Sequence, residues 1–70
     1  MTHMHPVSSS NIAAIGHESN RLYVRFKGSS LFSYLGVPAE VFHEGLAAES
    51  PGKWFRGQVS GKYIHRKHDA

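Results

Sequence analysis

The chain has 70 residues, about half the usual domain length, so it forms one small domain or part of one. Val, Ile, Leu and Phe make up 16 of them, above the roughly 20% below which a charged chain stays disordered, so a globular fold with a thin margin is expected. With no cysteine, disulfide frameworks, cysteine–zinc sites and thiol catalysis are excluded.

No apolar run approaches the roughly 18 residues of a membrane span, and none near the start resembles a secretory core, so a cytoplasmic location and no membrane contact are expected. Charge is unevenly placed. Residues 1–50 set Arg21, Arg25 and Lys27 against Glu18, Glu40, Glu44 and Glu49, a net of −1. Residues 51–70 set Lys53, Arg56, Lys62, Arg66 and Lys67 against Asp69, a net of +4, and a polyanion would be drawn there. The same segment also reads as a plain solubilising tail.

Residues 1–6 lack periodicity and end in Pro6, which predicts a flexible lead. Asn11 to Ile15 is a short β-rich stretch, followed by the turn-like His17-Glu18-Ser19-Asn20. Arg21 to Lys27 alternates cleanly: Leu22, Val24 and Phe26 to one side, Tyr23, Arg25 and Lys27 to the other. Gly28-Ser29 suits a two-residue turn. That turn sets Phe26 opposite Leu31, Val24 opposite Ser33 and Leu22 opposite Leu35, leaving Phe32 and Tyr34 on the face of Tyr23 and Arg25. One more loop residue would exchange the faces of the second strand.

Pro38 suits the first turn of a helix, and Val41, Phe42, Gly45, Leu46 and Ala48 recur at helical spacing over about three turns. Ser50-Pro51 reads as an N-cap and first helical residue of a second, short helix. Trp54, Phe55 and Val59 would form its buried side, with Lys53 and Arg56 at the wet edge. The segment from Lys62 to His65 is able to extend back to a sheet edge. The expected fold is α+β: a three-stranded antiparallel β-meander followed by two short α-helices packed on one sheet face. Residues 7–64 would be the domain and 65–70 a basic tail.

Ser9-Ser10-Asn11-Ile12, Leu22-x-Val24-x-Phe26-Lys27, Phe32-Ser33-Tyr34, Gly36-Val37-Pro38, Ala48-x-Ser50-x-Gly52-Lys53-x-Phe55 and Gly61-Lys62-Tyr63 follow one another in order. This series resembles the KTSC domain, a short module found at the C-terminus of some bacterial lysyl-tRNA synthetases and as a free-standing protein, also in phage contexts. The synthetase association implies RNA binding. The family's central Tyr-x-Tyr falls on Phe32 and Tyr34, so the first hydroxyl is missing here while a stacking surface is kept.

From the residues themselves, Tyr23, Arg25, Lys27, Phe32 and Tyr34 would place π surfaces and cations in fixed rows on an open sheet, as single-stranded nucleic acid requires. Lys53, Arg56, Lys62 and Arg66 would add phosphate contacts. A competing reading keeps Phe32 and Tyr34 in a second small core beneath Tyr63 and Ile64. The paired helices also permit a helix-turn-helix, which two glycines and two large aromatics on the second helix argue against. Six histidines show no zinc-type spacing, so no metal or other cofactor is expected. No nucleophile elbow or phosphate loop is present, so the chain is read as non-enzymatic. The expected function is a small module binding RNA or single-stranded DNA. The alternative is a protein–protein or accessory domain, such as a phage-encoded host modulator, with an exposed apolar patch around Trp54, Phe55 and Phe42.

Overall fold

Five antiparallel strands lie side by side in chain order in the computed structural model, which describes residues 3–28 and 30–68. They are β1 (His5–Pro6), β2 (Ile12–Glu18), β3 (Arg21–Phe26), β4 (Leu31–Leu35) and β5 (His65–His68). Helices α1 (Ala39–Ala47) and α2 (Pro51–Gln58) fall between β4 and β5. The α+β class and the two helices agree with the sequence pattern, but the sheet has five strands rather than three. The added strands come from the ends: His5 pairs with Ile15, and His65 pairs with Tyr34. The first two positions of the lead and the last two of the tail lie outside the described residues.

The β2–β3 hairpin turns on only Ser19 and Asn20, at φ 54° and 61°, the left-handed pair that matches strand twist. β2 is irregular between Ile12 and Ala14. Ile12 and Ile15 are three residues apart and would face opposite ways in strict alternation. The extra residue at the irregularity puts both on the covered face, where both are buried.

The β3–β4 register differs from the expected one by one residue. Leu22 faces Tyr34, Val24 faces Phe32 and Arg25 faces Leu31. The Phe26 N–H donates to the Ser30 carbonyl at 2.8 Å, so three residues form the loop. Gly28, at φ 104°, takes the turn conformation that a Cβ would disfavour. Ser29, part of the expected two-residue turn, lies outside the described residues. The one-residue shift moves Phe32 and Tyr34 to the face of Leu22 and Val24 and turns Leu31, Ser33 and Leu35 outward. Burial explains the choice: an aromatic ring removes about 150–250 Å² from water, so hiding Phe32 and Tyr34 outweighs hiding the leucines and a serine.

The helices cover that face alone. Ile12, Ile15, Leu22, Val24 and Tyr34 of the sheet pack with Val37, Phe42, Trp54 and Val59. Phe55 meets Phe26 edge-on at 5.4 Å and Tyr34 at 5.5 Å between ring centroids. Ser50 caps α2, its Oγ accepting from the Lys53 N–H at 3.4 Å, and Pro51 opens the helix as its spacing predicts. Leu46, expected on the buried stripe of α1, is exposed. No helix among the described residues is long and apolar enough to cross a membrane.

Candidate functional site on the open face of the sheet

With both helices on one side, the other face of the sheet is uncovered by any helix. Its side chains follow from the ladders. Gly16, Tyr23, Ser33 and Arg66 form one row across β2 to β5. Ala14, Arg25, Leu31 and His68 form the next, and Glu18, Arg21 and Leu35 the row on the other side. Three arginines, a half-buried tyrosine and a histidine therefore share one surface. Glu18, directly opposite Arg21, lowers the positive potential at that end.

The middle of this face is concave. A cavity of about 180 Å³ is lined by Arg21, Tyr23, Ser33, Leu35, Arg66 and His68. Ser33 is 4% exposed, and its Oγ shares a hydrogen bond with Nε2 of His68 at 2.8 Å. That bond ties the imidazole of the edge strand to β4, and Tyr23 approaches the same ring at 6.3 Å. The two guanidiniums come from β3 and β5, the strands flanking β4, so they reach the cavity from either side.

Of the nine residues expected to bind nucleic acid, Tyr23, Arg25 and Arg66 gather here. Phe32 and Tyr34 do not: they lie on the covered face, Tyr34 only 6% exposed, which corrects their expected place beside Tyr23. Burial raises the Tyr34 hydroxyl above its ordinary value. Lys53 and Arg56 are exposed on α2, in the helical layer on the other side of the sheet. Lys27 follows β3 in the loop, and Lys62 lies in the turn after α2, its N–H donating to Val59 at 3.1 Å. The cationic residues thus divide between two surfaces.

Arg21, Ser33, Leu35 and His68 were not singled out by the sequence. Arg21 carried a usable signal, since it alternates with Tyr23 and Arg25 in one strand. Ser33 and His68 carried none, because only the β4–β5 pairing brings them together. The expected apolar patch also differs: Phe42 and Trp54 are buried, whereas Ile64 is 75% and Leu35 42% exposed. They adjoin, the Leu35 N–H donating to the Ile64 carbonyl at 2.9 Å. Among the described residues, no three His, Asp or Glu side chains converge as metal ligands.

Known proteins share both the sequence and this architecture. A protein of Tsukamurella paurometabola is 42% identical over 62 residues, covering 86% of this chain and 92% of that protein. The crystal structure of a KTSC domain protein from Yersinia pestis has a TM-score of 0.93 at 35% identity, covering 99% of this chain and 100% of the other. The KTSC domain model matches residues 8–63, and the chain belongs to the KTSC domain family.

Proposed function

We propose that this KTSC domain is a non-enzymatic binding module that takes single-stranded nucleic acid, RNA foremost, on the open face of its sheet. The observation that carries the reading is the convergence of Arg21, Tyr23, Arg66 and His68 on one shallow cavity, with Arg25 on the same face. Guanidinium groups bind phosphate oxygens as planar forks, and the tyrosine ring offers a surface for a base. A single half-buried platform contributes at most about 1–3 kcal/mol, so weak and sequence-tolerant binding follows.

The Ser33–His68 pair has the composition of a nucleophile and its base, yet its setting favours a structural bond. Ser33 is almost fully covered, and β4 lies between β3 and β5, which occupy its backbone N–H groups in ladders. An acyl-transfer site needs an open approach and free donors for an oxyanion.

Titration of a labelled single-stranded RNA at several salt concentrations tests the proposal. Three arginine–phosphate contacts give a log–log slope of about −2. Absence of binding at low salt rejects it. The neighbouring exposed Ile64 and Leu35 favour a second reading, a protein partner docking at that end of the sheet. Arginine substitutions would leave such an interaction with its apolar anchor, whereas Ile64→Ser would remove it.

A further inference from the structure

The lining of the cavity suits one kind of anion better than a passing strand. Arg66 stands directly opposite Ser33 and Arg21 directly opposite Leu35, so the two guanidiniums flank β4. Strands β3 and β5 lie about 10 Å apart, twice the interstrand spacing, a gap that two arginine side chains close over one small group. The imidazole of His68, fixed by its hydrogen bond to Ser33, supplies a further polar contact, and among the described residues no carboxylate lines the cavity.

Size narrows the occupant. The cavity, about 180 Å³, falls below the roughly 300 Å³ at which whole small-molecule sites begin, so a phosphoryl group with part of a sugar fits and a complete nucleotide does not. Charge narrows it again. A phosphate monoester carries about −1.5 to −2 near pH 7 and offers three free oxygens, whereas a backbone diester carries a single charge on two. Resting on the nucleic-acid reading above, we propose that the Arg21–Arg66–His68 cavity holds the terminal phosphate of a single strand, with the rest of the chain running out over Tyr23 and Arg25.

The test uses the full chain and one short RNA in three forms: 5′-phosphorylated, 3′-phosphorylated, and with hydroxyls at both ends. Fluorescence anisotropy is expected to show one phosphorylated form binding at least about tenfold more tightly than the hydroxyl form. Arg66→Gln, at an exposed edge-strand position, should abolish that difference while leaving the thermal midpoint unchanged. Equal binding of all three forms overturns the end-specific cavity and leaves the nucleic-acid reading standing. If no RNA binds at low salt, that reading falls and the strand-end assignment falls with it. Inorganic phosphate then decides the cavity itself. Amide shifts at Ser33 and Arg66 on adding it would retain an anion site for small phosphorylated compounds, and unchanged spectra would overturn that too.

Discussion

The indole of Trp54 lies so close to Gly45 that an added Cβ would stand 2.6 Å from the ring. The same indole donates its Nε1–H to the Val41 carbonyl one helical turn earlier, at 3.1 Å. Gly45 is therefore the gap through which α2 grips α1. Gly45→Ala should cost about 1–3 kcal/mol, because the ring is large and held by its hydrogen bond. Gly57, inside α2, has nothing within 4 Å of an added Cβ and an ordinary helical backbone. Gly57→Ala should instead stabilise by about 0.5–1 kcal/mol. Urea midpoints of the two variants are expected to move in opposite directions; a harmless Gly45→Ala would show that the helices slide freely.

His17 holds the entry to α1. Its Nε2 lies 2.7 Å from the Val37 carbonyl, an acceptor only, so this nitrogen carries the proton and donates. The ring stacks on Phe42 with 5.6 Å between centroids, and Val37 is fully buried. His17→Phe keeps a flat ring over Phe42 and removes the donor. Leaving that carbonyl unpaired should cost about 1–3 kcal/mol. His17→Ala, which loses the stacking as well, should cost more. Equal midpoints for the two variants in chemical denaturation would assign the whole effect to the hydrogen bond.

Tyr34 makes stability depend on alkaline pH. Its ring packs against Phe55 and beside Phe32, and burial raises its hydroxyl above the ordinary 10.0 because the charged form loses water. A group whose folded value exceeds its unfolded value binds its proton more tightly when folded. The stabilisation is thus complete below about pH 10, where both states are protonated, and is lost as pH rises through the folded value. Tyr34→Phe should flatten the fall in urea midpoint above that pH. Tyrosinate absorbance should show a late-titrating hydroxyl in the wild type that is missing from the variant. An unaltered alkaline decline in Tyr34→Phe would place its origin elsewhere.

Much of this fold was legible because it is written locally. The alternation from Arg21 to Lys27 specifies a half-buried strand, and Ser50-Pro51 marks the start of α2 with a cap and a pre-set backbone angle. The β3–β4 register was not, since both pairings preserve the alternation. The loop from Lys27, with Gly28 at positive φ, and the helices' demand for Phe32 and Tyr34 decide between them. β5 is entirely polar, His65-Arg66-Lys67-His68, and has no apolar face to reveal it. Its pairing answers to the edge of β4. The candidate site inherits that division: Tyr23 and Arg25 follow from one strand's pattern, while Ser33, Arg66 and His68 meet only after chain segments more than thirty residues apart have paired.

Two cationic surfaces, separated by the thickness of the sheet, make the binding proposal sharp. Arg25 and Arg66 project from the open face, while Lys53 and Arg56 lie in the helical layer behind it. Attraction by net charge alone would respond about equally to loss of either pair, since the protein's far field hardly distinguishes them. Direct phosphate contact responds only where the strand lies. Removing both Arg25 and Arg66 as glutamines should reduce the salt slope for single-stranded RNA by about 1.4, and Lys53→Gln with Arg56→Gln should leave it unchanged. Equal reductions would mean that the nucleic acid is held by diffuse charge. A larger effect of the helical pair would move the binding surface to α2 and leave the open face without this role.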